Sequence, residues 1–568
     1  MALRAVRLAW RGGAAYGLGV ADDFSERYGD LLTGSYDCVD RIVLNAYFSM
    51  GHNPGGFRVW WRRLHGGSDE QLDNTHLMRF AGRFARRVKA WANANDVPVM
   101  YCKAGERKHL IAEEYLAARA VGTGVFMVLA AKAPASVWEV SRTASGAIAN
   151  LAKKRAFVHH YSFHIMDPDW GHVTIKMSGH PPFAAQVILN GHEYVAAAAR
   201  AAGIGFTKEG NCFTGIADPQ RLARVADTLS QHAAIGRLGQ VCNRWIYSAC
   251  LCFGLDSVEQ ARSGFAYSYS VYQAEYSRNL LFASGGQMEE LFNRVLDRTR
   301  SRLDIPSLRT VFGLKNRPHR NRAAGPPAQE IVTGKPQYGL TWFKVRFGLL
   351  QAKAYLKGEH VLRMEATVHN TRELRCGRSL EHFPEIITRL AGMAGRFATA
   401  LDCADVSFLA DGTLDELPLS SRLGTTRVGG IDLNKPRIRA ALSAALALTA
   451  APRGFTVADF TAKVQAMTGH AGYTTRQAAY DLRKLRGKNL AVKPGRSRRY
   501  HTPLEAARTI AALLALRDQV IAPILAGVRS PRRGRKPAHW TRIDRDYENL
   551  RTGMQTLFHD LGINAAAA

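Results

Sequence analysis

The sequence predicts a multidomain α/β (α+β) body that contains a βαβ unit and antiparallel meanders, followed by a C-terminal winged-helix domain. Three patterns lead to this prediction. A strand, a helix and a strand follow one another near residue 100, alternating polar and apolar runs lie near residues 160 and 350, and two helix-start signals precede a basic turn near residue 496. A chain of 568 residues is long enough for several domains.

Composition divides the chain into six segments. They are an α/β N-terminal domain (1–150), an α+β central domain (151–310), a basic linker or loop (311–335), an antiparallel β meander with a helix (336–435), a winged-helix DNA-binding domain (436–528) and a basic tail (529–568). The linker is rich in proline and glycine, which favour irregular backbone.

The chain carries a formal net charge of +30 and has a pI near 10.1. Such an excess attracts polyanions, and nucleic acid is the expected one, with duplex DNA first and RNA as the alternative. No run approaches the roughly 18 apolar residues of a membrane-spanning helix, and the N-terminus lacks the apolar core of a secretory signal. We therefore expect a cytoplasmic, nucleoid-associated protein without a membrane partner.

Eight cysteines are spread along the chain without a Cys-x-x-Cys pair. Structural zinc needs ligand pairs at short spacing, and Cys250 and Cys252 beside Cys242 have no matching pair nearby. The cysteines are therefore interpreted as reduced thiols of the core.

The first third of the chain predicts a strand, an amphipathic helix and a βαβ unit. SYDCVDRIVLNAYF alternates like a strand, and LDNTHLMRFAGRFARRVKAWANAN repeats apolar residues at helical spacing. The arginines on the other side of that helix are either solvated or face phosphate. VPVMYC, ERKHLIAEEYLAARA and GVFMVLAA predict a parallel strand pair joined by a helix. The loop after the first of these strands lacks a GxGxxG or P-loop lysine motif, so no nucleotide site is predicted.

The middle of the chain predicts a hairpin and a capped helix. AFVHHYSFHIMDPDWGHVTIKMS has two strand patterns around the turn from Asp167 to Gly171, and QVIL leads to Asn190 as the cap of a helix that ends near Gly203. The strand, the DPDWGHVTIK turn and the NGHE helix start resemble a family of bacterial proteins of unknown activity. That resemblance implies a shared core and no particular chemistry.

The next two segments predict helices and then a meander. Residues 218–303 are expected to be mostly helical, although the tyrosines from Tyr267 to Tyr276 fit partly strand and partly helix spacing. YGLTWFKVRFGLLQAKAYLKGEHVLRMEATVHNTREL predicts an antiparallel meander with one wet face, and FPEIITRLAGMAGRFATALD predicts a helix.

Residues 454–502 show the order helix, turn, second helix and wing. GFTVADFTAKVQAM starts a helix after Thr456, and Thr474 or Thr475 caps the basic helix that follows. LAVKP, the turn GRS and RRYHT predict a short two-stranded hairpin with arginines at its tip. Through TTRQAAYDLRKLRGKNLAVKPGRSRRYHTP, this segment resembles the winged-helix domains of MarR-like bacterial transcriptional regulators.

That resemblance implies contacts with duplex DNA from the second helix and from the wing. In the tail, Arg-Arg-Gly-Arg-Lys-Pro is similar to an AT-hook, whose arginines enter the minor groove. The predicted nucleic-acid-binding residues are Thr475, Arg476, Gln477, Lys484 and Lys488 on the helix, Arg496, Arg498 and Arg499 on the wing, and Arg533 and Arg535 in the tail. A winged helix that serves only protein–protein contacts is the alternative.

The leading expectation is a DNA-binding protein in which the winged helix targets a larger body, for transcriptional regulation or for DNA processing by a mobile element. A metal-dependent nuclease or recombination enzyme is the first alternative, because carboxylates that share Mg²⁺ can promote phosphodiester cleavage. Its candidate catalytic residues are Asp167, Asp169, Lys176, Glu193 and Glu365. An RNA-binding ribonucleoprotein component is the second alternative, and a homodimer is expected only by analogy with winged-helix regulators.

Overall fold

The computed structural model describes residues 27–103, 105–302, 329–333, 341–347, 349–405, 413–451, 453–495 and 497–521, together with isolated positions between 542 and 556. Its architecture is mixed α/β and is built around one large sheet of eleven strands. In this part of the chain, no helix is both long and apolar enough to cross a bilayer.

The strands of the described residues form one large sheet and two small hairpins. They are β1 (Leu32–Phe48), β2 (Val99–Tyr101), β3 (Gly124–Arg142), β4 (Ile148–Asp167), β5 (Gly171–Ser178), β6 (Ala185–Asn190), β7 (Phe206–Lys208), β8 (Phe213–Ile216), β9 (Tyr267–Phe282), β10 (Gln329–Thr333), β11 (Thr341–Phe347), β12 (Leu350–Lys357), β13 (Val361–Val368), β14 (Ser421–Leu423) and β15 (Thr426–Val428). The large sheet has the order β10-β11-β12-β13-β9-β1-β6-β5-β4-β3-β2. Its neighbouring strands are antiparallel, except that β2 and β3 are parallel.

The helices of the described residues follow the apolar periodicity of the sequence. They are α1 (Pro54–Leu64), α2 (Asn74–Ala94), α3 (Lys108–Ala118), α4 (Gly191–Ala201), α5 (Pro219–Asp227), α6 (Ala233–Ala249), α7 (Ser257–Ser263), α8 (Gly285–Arg302), α9 (Phe383–Asp405), α10 (Thr413–Glu416), α11 (Pro436–Ala447), α12 (Val457–Thr468), α13 (Thr475–Gly487) and α14 (Leu504–Ala515). α2 illustrates the rule, since Asp73 caps its first turn and the residues at helical spacing from Leu77 to Val88 are buried.

Several predicted elements of the body are confirmed. β2, α3 and β3 form the parallel βαβ unit near residue 100. β4 and β5 pair as a hairpin around the turn that starts at Asp167. Asn190 caps α4, because its side-chain oxygen accepts a hydrogen bond of 2.9 Å from the backbone N–H of His192. β11, β12 and β13 form the antiparallel meander.

In the middle of the chain, the structure decides one conformation that the sequence leaves open and corrects one expectation. The tyrosine-rich stretch, in a segment expected to be mostly helical, forms the 16-residue strand β9. Pairing with β1 on one side and β13 on the other decides its conformation, and aromatic residues suit a strand held in this way. The segment 311–335, expected to be a linker, contains β10, which pairs with β11; its other residues lie outside the described part.

The predicted divisions of the body do not separate independent sheets. Segments 1–150, 151–310 and 336–435 all contribute strands to the large sheet, and residue 150 lies inside β4. One hydrophobic core contains residues from Tyr28 to Leu401 and also Ala450. Residues 413–521, here named the C-terminal unit, have a second core that extends from Leu417 to Leu514.

In the C-terminal unit, α12 and α13 begin where the sequence places them. Thr456 and Thr474 cap these helices, and each forms a reciprocal capping box with the residue three positions later. The hairpin expected from LAVKP and RRYHT is reduced to an isolated bridge between Val492 and His501, beside a second bridge between Phe455 and Tyr500. The two bridges bring the segment before α12 next to the turn after α13.

A bulge in β1 determines where Asp40 lies. β1 has one residue more than β9 between Val39 and Ile42, so Asp40 and Arg41 together lie opposite Glu275. α4 starts beside this bulge. A Cβ atom at position 191 would overlap the carbonyl oxygen of Val39, so the close approach of helix and strand requires glycine there.

We expect Gly191→Ala to lower the free energy of unfolding by about 2–4 kcal/mol, because α4 must move away from β1 to admit the methyl group. The matched control is Gly236→Ala in α6, where an added Cβ meets no atom within 4 Å. That substitution should leave stability unchanged or raise it by about 0.5–1 kcal/mol through helix propensity. Urea unfolding followed by circular dichroism measures both changes, and equal stability of the two variants would contradict the expectation.

Candidate nucleic-acid interface

One face of the large sheet carries polar side chains from β12 across to β4, and we name it the polar face. Residues directly opposite each other on paired strands share a face. Strand register therefore arranges the polar face in four rows, which are Tyr355, Arg363, Asn279 and Tyr36; Lys353, Glu365, Ser277 and Cys38; Thr367 and Glu275; and Ser270, Asn45, Gln186, Lys176 and Ser162.

The first row includes Arg363, which is the centre of a buried ion network. The Arg363 side chain is fully buried, and its guanidinium lies 3.6 Å from the Asp40 carboxylate. It donates to the side-chain oxygen of Asn279 at 2.6 Å and to the backbone carbonyl of Asn211 at 2.5 Å. His192 joins the network, because Nε2 lies 3.2 Å from Arg363 Nη2 and Nδ1 faces Asp40.

Electrostatics keep Asp40 ionised in this buried place. Burial by itself raises the pKa of Asp40, but Arg363 and then His192 oppose it and lower the pKa to about 2. Burial lowers the pKa of His192, so the imidazole is neutral, and the hydrogen-bond pattern assigns its proton to Nδ1, facing Asp40. The network therefore consists of one cation, one anion and a neutral imidazole.

Cys38, Asp40 and His192 are the described residues whose potential metal-ligand atoms cluster, within 4.8 Å of one another. Both ring nitrogens of His192 already have partners, and a guanidinium beside both Asp40 and His192 repels a cation. We therefore interpret this cluster as a structural network and not as a metal centre.

A second pair of carboxylates lies farther along the polar face. Glu365 accepts hydrogen bonds from Tyr355 at 2.9 Å and Thr367 at 3.0 Å, and Lys353 Nζ lies 2.8 Å from it. Burial and the nearby charge of Glu365 raise the pKa of Glu275 to about 7, although Lys353 lowers it. Sequence reasoning missed Glu275, because its partners become visible only when β9 is placed between β1 and β13.

The five predicted catalytic residues do not form one cluster. Asp167 accepts from Arg244 at 2.6 Å and from the indole of Trp245 at 2.7 Å, and Asp169 pairs with the same Arg244 at 2.9 Å. Glu193 pairs with Lys208 at 2.6 Å.

The remaining two predicted residues lie on the polar face, Lys176 on β5 and Glu365 on β13. Among the described residues, none of the four predicted carboxylates belongs to a group of three potential metal ligands. The geometry brings only Asp167 and Asp169 together, and it does so around an arginine.

The predicted DNA-contacting residues of α13 have different surroundings. Thr475 and Arg476 are exposed at the start of the helix, whereas Gln477 is used in the capping box with Thr474. Lys484 and Lys488 are predicted to contact DNA. Instead, they donate to the backbone carbonyls of Gly430 at 2.9 Å and Glu416 at 2.6 Å, and so hold α13 against residues 413–431.

The basic residues of the predicted wing and tail are only partly described. Arg498 is exposed, and Arg499 donates to the carbonyl of Gly454 at 3.1 Å. Arg496, Arg533 and Arg535 lie outside the described residues.

Two arginines of α2 are engaged with acidic side chains, whereas Arg79 and Arg86 are exposed. Arg83 pairs with Glu259 at 2.7 Å, and Arg87 lies 3.4 Å from Asp256 at the start of α7. These two side chains hold α2 to α7, which favours the structural interpretation for Arg83 and Arg87 over a phosphate-facing one.

Comparisons with models of protein families, with curated proteins and with solved structures found no match to this chain. Function is therefore inferred from the positions and partners of its own residues.

We expect Asp40→Asn to lower the free energy of unfolding by about 3–5 kcal/mol at neutral pH, because it leaves the buried charge of Arg363 without its carboxylate. The pKa of Asp40 is about 2 in the folded protein, against roughly 3.9 for an unfolded aspartate. The contribution of this carboxylate is therefore present above about pH 4 and is lost as the pH falls toward 2. Urea unfolding of both proteins from neutral to acid pH should show the difference shrinking in acid.

Asp169→Asn is the matched control for Asp40→Asn. Its side chain is 56% exposed and its partner Arg244 is 39% exposed, so the substitution should change stability by no more than about 1 kcal/mol. If Asp40→Asn were as stable as the wild type at neutral pH, the network would not stabilise the fold.

We expect Glu275→Gln to become more stable than the wild type as the pH rises. Because the pKa of Glu275 is raised to about 7, the folded protein keeps a proton on this side chain at pH values where the unfolded chain, with a pKa near 4.3, has released it. The contribution of Glu275 to the free energy of unfolding is thus fully present below about pH 4.3 and is lost as the pH rises through 7. The wild type loses roughly 1–3 kcal/mol in this way, whereas the glutamine variant does not. Unfolding free energies measured on both sides of this window test the expectation, and a pH-independent difference would refute it.

Proposed function

We propose that this protein binds duplex DNA through the C-terminal unit, with the start of α13 and the turn between Val492 and His501 as the contact surface. The observation that carries the proposal is the pair Arg476 and Arg498. Both guanidinium groups are exposed and have no partner among the described residues. One of them lies in the first turn of a capped helix and the other in the turn that follows this helix, and exposed arginines in such places are suited to phosphate and base-edge contacts.

The local structure supports this assignment in two ways. Arg476 lies in the first turn of α13, where backbone N–H groups and the helix dipole favour a nearby anion. Arg498 lies close in sequence to Tyr500, whose backbone bridges to Phe455 before α12. The turn after α13 is thus tied to the start of α12, and the two arginines belong to one connected unit.

The net charge of +30 supports the same proposal, because a strong positive field raises the rate and affinity of binding to polyanions. Transcriptional regulation and DNA processing by a mobile element would both use such a surface. The nuclease alternative gains no support, since the four carboxylates predicted to hold Mg²⁺ are paired with Arg244, Lys208 or Lys353.

We expect the double variant Arg476→Ala/Arg498→Ala to bind a labelled duplex of about 20 base pairs at least tenfold more weakly at about 0.1 M salt, because two phosphate or base contacts are lost. The slope of log affinity against log salt should fall by about 2, since each lost phosphate contact releases about 0.9 fewer counterions. Fluorescence anisotropy at several salt concentrations measures both quantities.

Arg224→Ala is the matched control, because Arg224 is an exposed arginine on α5 of the body. It removes one positive charge away from the proposed surface and should change neither the affinity nor the salt slope by much. Equal duplex binding by the double variant and the wild type would overturn the proposed function.

A further inference from the structure

A cleft of about 710 Å³ opens at the end of the polar face that is farthest from Arg363 in strand register. Its floor is the fourth polar row, where Gln186 donates to the side-chain oxygen of Asn45 at 3.0 Å and Lys176 lies opposite Gln186 on β5. The floor therefore contains amide groups and one ammonium group.

One wall of the cleft is the distal part of the β3–β4 hairpin. Trp138 on β3 is buried, and its indole donates to the carbonyl of Gly51 at 3.0 Å, which ties the hairpin to the segment after β1. Lys153 lies opposite Trp138 on β4, is exposed, and has its ammonium 5.3 Å from the centre of the indole. The contact with Trp138 thus positions the ammonium group of Lys153 on this wall.

The other wall comes from the segment between β13 and α9. Thr371 donates to the carbonyl of Val271 at 2.5 Å, and the N–H of Val271 donates to the carbonyl of Arg378 at 2.7 Å, so both ends of the segment are attached to β9. Arg372 is exposed, and the Nε of Arg378 is buried without a hydrogen-bond partner. Both arginines line the cleft.

The described lining of the cleft contains two lysines, two arginines and three histidines, and it contains no aspartate or glutamate. A buried guanidinium nitrogen without a partner is costly unless a ligand accepts its hydrogen bond. The chemistry of the lining therefore favours an anionic ligand with acceptor oxygens. Tyr47 and His52, whose ring centres are 5.3 Å apart, add flat surfaces to the same cleft.

The positive charge continues from the cleft toward the C-terminal unit. Arg375 lies between Arg372 and Arg378 in the chain, and Arg453 donates to the backbone carbonyl of Glu373 at 3.4 Å. Burial lowers the pKa of Arg453, and the charges of Arg499, Arg375 and Arg389 lower it further. Of these, Arg389 is neutralised by Glu385 at 2.6 Å. Like charges gathered at one junction repel one another unless an anion lies among them.

We propose that the cleft and the junction of Arg375, Arg453 and Arg499 form one track for single-stranded nucleic acid. Arginines and lysines along the track contact phosphates, and the rings of Tyr47 and His52 are platforms for bases. The cleft volume lies within the range of about 300–1,000 Å³ that suits small ligands, so it admits a few nucleotides and excludes a duplex. This proposal goes beyond duplex binding by the C-terminal unit, and it does not depend on it.

The test uses the full chain and a fluorescein-labelled oligothymidine of about 12 nucleotides. The cleft variant Lys153→Ala/Arg372→Ala/Arg378→Ala should bind this strand at least tenfold more weakly and lower the salt slope by about 2, at about 0.7 per lost phosphate contact. Its affinity for duplex DNA should change by less than about twofold. Arg224→Ala is again the control and should bind both nucleic acids like the wild type.

Two outcomes would overturn the proposal. One is that the cleft variant binds the single strand as tightly as the wild type does, or that it loses affinity equally for single strand and duplex. The other is equal affinity of the wild type for a dinucleotide and for the longer strand, because a continuous track predicts that affinity rises with length. Lys153→Glu, at an exposed position, keeps the test decisive if the triple variant unfolds, and it should weaken single-strand binding more than Lys153→Ala does.

The same experiment separates this proposal from the proposed function. Arg476→Ala/Arg498→Ala should reduce duplex binding and leave oligothymidine binding within about twofold of the wild type. If that variant binds duplex normally while the cleft variant loses single-strand binding, the C-terminal assignment is wrong and the track remains.

Discussion

The buried charge of Arg363 is the constraint on which the body of this protein depends. A guanidinium removed from water destabilises the fold unless its partners are all in place. Those partners are Asp40 at the β1 bulge, Asn279 on β9, the carbonyl of Asn211 before β8 and His192 at the start of α4. One side chain thus fixes four elements that are far apart in the chain, and β1 and β9 lie at the middle of the sheet.

The two ends of the polar face differ in how open they are. Near Arg363 the polar groups are buried and contact one another, so the residues there are part of the packed interior of the fold. At the fourth row one wall is attached to Gly51 through Trp138 and the other to Val271 through Thr371, and cationic side chains line the cleft between them. Glu275 and Glu365 lie between, where burial and the charge of Glu365 raise the pKa of Glu275.

Basic residues of this chain divide into those that stabilise the fold and those available to an anion. Lys484, Lys488, Arg83 and Arg87 bind carbonyls or carboxylates of the protein, so their charge contributes to packing. Arg476, Arg498 and Arg372 remain exposed. The overall charge alone does not distinguish these groups, and the two proposed nucleic-acid surfaces follow from the partners of each side chain.

The sequence by itself determined the local features. The caps Asn190, Thr456 and Thr474, the βαβ unit and the β4–β5 hairpin follow from hydrogen bonds and periodicity within short stretches, so they could be predicted. Only the tertiary structure decided that a tyrosine-rich stretch is the strand β9 and that Glu275 lies near Glu365. It also decided that His192 and Arg363, 171 residues apart, share a buried network, and that Lys484 and Lys488 bind backbone carbonyls of residues 416–430. The physical reason is that desolvation and ion pairing depend on which distant residues pack together, and no local pattern records that.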